Sequence, residues 1–410
     1  MTGVAPSLPE PAFAAALAAL PKMGPAHLRR LLQGGTPSEA WAHVRRGHPL
    51  DEDGRWRRAS EAVDPTELWS AHRRLGIGVH LRGEPPYPAA LARDDEAPAV
   101  LFSLGDPDVV DRFPRVGIVG TRSATRYGLG VAVQLGSELA AAGVAVVSGL
   151  ALGVDGAAHE GACAAFEENG APPVAVVAGG LDRPYPARNA RLWARVAAAG
   201  VVLSESTAGT RPEQWRFPLR NRIMAALSEV LVVVECHERG GSLHTVHAAE
   251  RRGIAVGAVP GSVRSPASSG TNGLVATGCF PVRDTTDVLV ALGLARAGRG
   301  IRRRAGVRRR GSPRRDDAGG GPIAPGARGV VAPTHRGDLA SSDVPPAGKG
   351  GSGDAQGPVA SVLAALGYEP CPIEALLGAT GLSLSEASAV LEELAAAGVV
   401  RGRAGWWERA

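Results

Sequence analysis

"GIVGTRSATRYG", Gly117–Gly128, decides the fold. An apolar run stops at Gly120, and Thr121, Arg122, Ser123 and Thr125 follow before a helical pattern begins near Tyr127. A glycine turn between strand and helix is where parallel sheets open toward ligands, outside the carboxyl ends of the strands. Working outward, the layout recurs. Runs rich in Val and Ile stand at "RVGIVG" (115–120), "VAVVS" (144–148), "VAVVAG" (174–179), "VVLSE" (201–205), "EVLVVVE" (229–235) and "IAVGAVPG" (254–261). None alternates with polar residues, so each is expected to be buried on both faces. Ala-rich helical stretches lie between them. The fold expected over residues 75–295 is therefore α/β, a doubly wound parallel sheet.

The turns carry the chemistry. In the first, a helix N-terminus is expected to offer free amides to an anion, and Arg122 adds a planar charged fork. There is no GxGxxG and no GK[ST], so dinucleotide and P-loop readings are poor. The second turn, Ser148, Gly149 and Leu150, leads to Asp155 and His159. These read as a capping Asp and a half-buried His, or as a dyad with no nucleophile attached. The third, "GGLDRPYPARNARL" (Gly179–Leu192), brings Arg183, Arg188 and Arg191, with Tyr185 placed to stack on a base.

The fourth, "RFPLRNRIMAAL" (Arg216–Leu227), puts Arg220, Asn221 and Arg222 before what reads as the start of a buried helix. Cations at that end oppose the macrodipole. Either an anion sits beside one of them, or one forms a core salt bridge with Glu205 or Glu235. The fifth turn holds Gly240, Gly241 and Ser242, with Thr245 one helical turn on. His244 and His247 lack a third ligand at metal spacing. Five such turns at one sheet edge imply an extended anionic ligand, longer than one nucleotide.

Composition bounds the classes. The chain has 410 residues, net charge +5 and only two lysines, Lys22 and Lys349. Four cysteines, none at CxxC spacing, fit a reducing, cytoplasmic compartment. No apolar run approaches the roughly 20 residues that span a bilayer. Aromatics are scarce at 4%, so base stacking is expected to be a minor term.

The flanks differ from the core. Residues 1–70 read as short helices, with a Gly-Pro turn in "LPKMGPAHLRRLL" (Leu20–Leu32). That is a helix-hairpin-helix outline or a plain helical domain. Residues 296–355 open with ten arginines in 296–315 and continue in Gly, Pro, Ser and Ala, so they are expected to be a disordered linker. Its basic half either holds nucleic acid non-specifically or keeps the linker solvated. Residues 356–410 outline a winged helix. Its would-be recognition helix (about 385–397) carries Glu386, Glu392 and Glu393 and no cation, so contact with protein is favoured over duplex DNA.

In order, "GIVGTRSATRYG", "VVSGLALGVDGAAHEGA", "GGLDRPYPARN", "FPLRNRIMAALSEVLVVVE", "GGSLHTVHAAERRG" and "AVPGSVRSPASSGTNGL" closely resemble the DNA processing protein A family, DprA or Smf. The match covers Gly117–Leu274, with a weaker piece at "GEPPYPAAL" (Gly83–Leu91). The resemblance implies a small helical N-terminal domain, an extended Rossmann-like core and a winged-helix tail. It implies single-stranded DNA binding, loading of the RecA recombinase, a role in natural transformation, homodimerisation through the core, and no catalysis or cofactor. It places Arg122 on the strand, with Asn221 and Arg222 as the Asn-Arg of the fourth segment. Two positions depart: Leu152 stands for the usual Arg, and Ala187 for a frequent Lys, with Arg188 beside it. "SGTNGLVATG" (Ser269–Gly278) is a candidate dimer surface through Leu274 and Val275. The runner-up is a nucleotide phosphoribohydrolase-like enzyme on a similar core, but the fifth turn lacks that group's Gly-Thr pair.

Overall fold

A computed structural model describes residues 8–293, 358–366, 371–403 and 406–409. The expected linker, 296–355, lies outside the described residues. The chain divides into two compact units, Met1–Arg303 and Arg304–Ala410.

The first unit opens with five helices: α1 (Glu10–Ala18), α2 (Pro25–Leu31), α3 (Pro37–Arg46), α4 (Arg55–Ser60) and α5 (Pro65–Arg74). Local signals start them. Thr36 and Glu39 form a reciprocal capping box ahead of α3, and Asp64 caps α5 through Thr66 N at 2.7 Å. Along α1, Ala14, Ala15, Ala16 and Leu17 are fully buried, and the small alanines let neighbouring helices approach closely. These helices do not keep a core of their own. Leu17, Leu28, Trp41 and Trp56 cluster with Val79, Leu81 and Phe102 of the sheet.

Among the described residues of this unit, nine strands form one sheet: β1 (Gly78–Leu81), β2 (Val100–Gly105), β3 (Arg115–Val119), β4 (Ala145–Ser148), β5 (Val174–Val177), β6 (Val201–Ser204), β7 (Val230–Val233), β8 (Ala255–Ala258) and β9 (Phe280–Pro281). Their order is β1-β2-β6-β5-β4-β3-β7-β8-β9. From β6 to β9 every pairing is parallel, while β1–β2 and β2–β6 are antiparallel. The sheet is thus mixed, a parallel core extended at one edge by a hairpin. The helices between strands are α6 (Ala89–Ala92), α7 (Val109–Arg112), α8 (Arg126–Ala141), α9 (Val154–Glu167), α10 (Ala190–Ala199), α11 (Arg216–Leu227), α12 (Leu243–Glu250) and α13 (Ser269–Ala276).

Alternate residues of a strand feed opposite cores, as the two-residue period requires. Val146, Val230 and Val232 pack with α8 and α9, whereas Ala145, Val147, Leu231 and Val233 pack with α11 and α12. Both faces are covered, which is why the strands carry no polar alternation.

In the second unit, helices Pro358–Ala365, Ile373–Thr380 and Leu384–Ala396 enclose Val362, Leu376, Leu391 and Leu394 beside a small sheet of Cys371–Pro372, Trp406–Arg409 and Val400–Arg403. Ser383 and Glu386 cap the last helix reciprocally. Glu386, Glu392 and Glu393 are exposed on it.

Candidate nucleic-acid interface

The strand order reverses between β3 and β7, where such sheets usually bind ligands. Here the protein fills that point itself. Thr121 N donates to Glu235 O at 2.8 Å, and the Glu235 carboxylate accepts from Thr125 N at 2.8 Å and Thr125 Oγ1 at 2.6 Å. Thr125 in turn caps α8 through Gly128 N. The Glu235 carboxylate thus sits at the positive end of α8, where it takes the Thr125 amide and complements the dipole, while the Thr125 hydroxyl takes the Gly128 amide.

The open cleft lies one step along, over the ends of β4 and β5. It encloses about 540 Å3, including its mouth, and its lining includes Arg122, Gly149, Leu152, Arg183, Tyr185, Trp193, Pro212 and Phe217. The Arg122 guanidinium sits 4.7 Å from the centroid of the Phe217 ring, and the Tyr185 and Phe217 rings are 5.9 Å apart. Tyr185 is 48% exposed, so its face is open to a ligand. Among the described residues lining the cleft there is no carboxylate, imidazole or thiol. Cations and aromatic faces together suit a phosphate and an unpaired base.

Tight backbone packing holds these turns. Gly153 has φ +76°, and a side chain there would meet Thr121 O at 2.3 Å, so the second turn can lie against the first only with glycine. Leu150 adopts φ +54° although it is fully buried. A non-glycine residue in that region costs about 1–2 kcal/mol. Asn189 offsets the cost by donating from Nδ2 to Leu150 O and Ala151 O, each at 3.0 Å, which ties the third turn to the second. Asn189 was missed at the sequence level because its partners lie 39 and 38 residues away.

Beneath the floor, Arg220 is 4% exposed and donates from Nη1 to Gly149 O at 2.9 Å and to Val176 O. Asp155, 6% exposed, faces Arg220 and the backbone amides of Gly149 and Gly120. Burial raises the Asp155 carboxyl and lowers Arg220 to about 10, while each partner's charge acts against the other's shift. Gly149 lies between them: an added Cβ would meet Arg220 Nη1 at 2.2 Å and Asp155 Oδ2 at 2.5 Å. His159 is not part of a dyad with Asp155. It is fully buried, and its Nε2 donates to Val174 O at 3.2 Å.

The remaining expected residues separate. The helix bearing Arg220, Asn221 and Arg222 starts at Arg216, so the two cations stand inside α11 and not at its positive end. Pro218 falls in the first turn, where its missing N–H costs nothing. Arg222 is 9% exposed and its Nη2 pairs with Glu205 Oε2 at 2.5 Å, so its fork is engaged inside the fold. Asn221 is likewise buried. Ser148 is fully buried and its hydroxyl donates to Ile118 O at 2.6 Å. Thr121 and Ser123 remain in the first turn, their Oγ1 and N 3.2 Å apart, and Gly120 packs against Val154.

The fifth turn does not join the cleft. Gly241 starts a turn in which Ser242 Oγ donates to Cys236 Sγ at 3.0 Å, and Thr245 is 1% exposed with no hydrogen-bond partner for its hydroxyl among the described residues. Arg188 is exposed on the short turn Ala187–Asn189, outside the lining. Four turns, not five, therefore meet. Aromatics, though scarce, gather at this cleft as Tyr185, Trp193 and Phe217. Phe217 was legible as an apolar residue before Pro218, but only the fold brings it beneath Arg122.

Residues 78–293 match the family model described as DNA recombination-mediator protein A, and residues 352–405 match the DprA winged helix domain. The chain is 39% identical over 284 residues to the putative DNA processing protein DprA of Mycobacterium tuberculosis, covering 65% of this chain and 71% of that one. It is 37% identical over 223 residues to the DNA processing protein DprA of Bacillus subtilis, covering 54% and 74%. The crystal structure of DprA from Streptococcus pneumoniae superposes with a TM-score of 0.55 at 28% identity, over 69% of this chain and 93% of that one. The chain belongs to the DNA recombination-mediator protein A family, DprA.

Proposed function

We propose that this protein binds single-stranded DNA in the cleft over β4 and β5 and, as a homodimer, loads RecA recombinase onto it, without itself catalysing a reaction. One observation carries the DNA reading: Arg122 stacked on Phe217 at 4.7 Å, beside the exposed Tyr185. Such a site takes a phosphate and an unstacked base together, which duplex DNA does not present. Arg122 and Arg183 supply charge, and Arg188 lies exposed nearby in sequence. Leu152 adds an apolar contact where family members usually carry a cation. A cleft lining without carboxylate or imidazole favours binding over phosphoribohydrolase chemistry, which needs a general acid or base. RecA loading, transformation and the dimer rest on family membership. Leu274 and Val275, half-buried on α13, are the candidate dimer face.

The test is fluorescence anisotropy of labelled oligo-dT and a matching duplex across a salt series. The wild type is expected to prefer the single strand. Arg122→Ala should lower affinity roughly tenfold, the worth of one charge-assisted contact. It should also flatten the slope of log K against log salt by about 0.7. Equal binding of duplex and single strand, unchanged in the variant, would sink the reading.

A further inference from the structure

A second cleft lies on the other side of the loop that joins β6 to α11. Its lining includes Met23, Pro25 and Leu28 of the N-terminal hairpin and Glu205, Ser206, Thr210, Trp215 and Arg216 of that loop and helix start. Trp215 is 46% exposed, although the chain has only seven tryptophans and Trp41, Trp56 and Trp193 are buried. It is held in place. Its Nε1 donates to Glu213 Oε2 at 2.8 Å, and the Arg216 guanidinium sits 4.2 Å from a ring centroid. Arg216 also donates from Nη1 to Ser206 Oγ at 3.3 Å.

The arrangement repeats that of the first cleft, an arginine over an aromatic ring, with Phe217 two residues from Trp215 along the chain. Pro212 and Phe217 face the first cleft, and Thr210 and Trp215 the second. One loop therefore separates two cation–aromatic pairs. The carboxylates at the cleft are paired, Glu205 with Arg222 and Glu213 with Arg216 at 3.5 Å, and the adjoining hairpin carries Lys22, Arg29 and Arg30 outside the lining.

We infer that a strand seated on Arg122 and Phe217 continues over this loop onto Trp215 and Arg216, against the N-terminal hairpin, which makes the pair a second single-stranded DNA subsite. The inference rests on the first cleft being the DNA site. An exposed ring braced by a guanidinium offers its other face to a base without sequence preference, because every base has a π-face.

The experiment is anisotropy with two oligo-dT probes, about four and about twelve nucleotides long, within the range of site sizes known for single-strand binders. Wild type, Trp215→Ala, Trp215→Phe, Arg216→Ala and Arg122→Ala are compared as full chains. Trp215 is exposed, so its variants keep the core, and unchanged circular dichroism melts check this. The expected result is that Trp215→Ala and Arg216→Ala each weaken the longer probe roughly tenfold and leave the shorter one unchanged. Trp215→Phe restores the longer probe, and Arg122→Ala weakens both. Wild-type binding of the longer probe by Trp215→Ala overturns the subsite while leaving the first cleft intact, as it would if a protein partner occupied this groove. Equal loss on both probes places Trp215 in the first cleft and also overturns the two-subsite arrangement. Wild type that binds neither probe overturns both readings.

Discussion

Arg220 and Arg222 stand two residues apart on α11 and both are engaged inside the fold, one under the cleft floor and one against Glu205. Removing one partner of a buried pair leaves an uncompensated charge and costs about 3–5 kcal/mol. Arg220→Met strands Asp155, and Arg222→Met strands Glu205, whose carboxyl burial already raises. Both variants should lose about that much in urea denaturation. The double variant Arg222→Met/Glu205→Leu should recover most of the loss, because a hydrophobic replacement of the whole pair is near neutral. Arg122, exposed, should change stability by less than about 0.5 kcal/mol when replaced by Ala. Stability and DNA affinity thus separate along one set of arginines: Arg122 moves the second, Arg220 and Arg222 the first. Loss of affinity in a fully folded Arg222→Met would contradict that division.

Two elements carry predictions of their own. The start of α8 is occupied by Thr125 and Glu235, so Thr125→Ala should cost about 1 kcal/mol as a lost cap and leave oligo-dT affinity unchanged. A drop in affinity at unchanged stability would show that the helix end meets the phosphate after all. Between α9 and β5, His159 is fully buried, which disfavours its charged form, although its Nε2–H donates to Val174 O. Burial lowers its pKa from 6.5 to about 4. In the unfolded chain the ring takes up a proton first, so it binds more protons than the folded chain between those values. Stability therefore falls as pH drops from 6.5 toward 4, by roughly 3 kcal/mol from this residue. Thermal melts from pH 7 to 4 should show that decline, and His159→Gln should flatten it.

At the scale of the molecule, two compact units divide the charge. The first holds the arginine-lined clefts, and the second presents Glu386, Glu392 and Glu393 on its last helix. An acidic helix repels phosphates. A chain ending at residue 355, which keeps the arginine-rich segment and removes the acidic unit, should bind oligo-dT within about a factor of two of the full chain. A large loss would assign the second unit a direct part in holding DNA.

Read alone, the sequence determines the parallel core, because a strand buried on both faces must be apolar throughout and "VAVVS" or "VLVVV" has no other home. It determines the capped helices, because Thr36 with Glu39 and Ser383 with Glu386 are local pairs three residues apart. It also marks Arg122 and Gly149, since glycine turns and hydroxyls announce themselves within a few residues. Only the tertiary structure decided the rest. That Glu235 closes the switch point, that Asn189 steadies Leu150, that Phe217 lies under Arg122 and that Glu205 engages Arg222 all depend on partners from 17 to 110 residues apart. The antiparallel β1–β2 edge and the core it shares with the first helices are non-local in the same way. Periodicity and turn chemistry are written into neighbouring residues. Which cation meets solvent and which meets a buried carboxylate is settled only where distant segments pack.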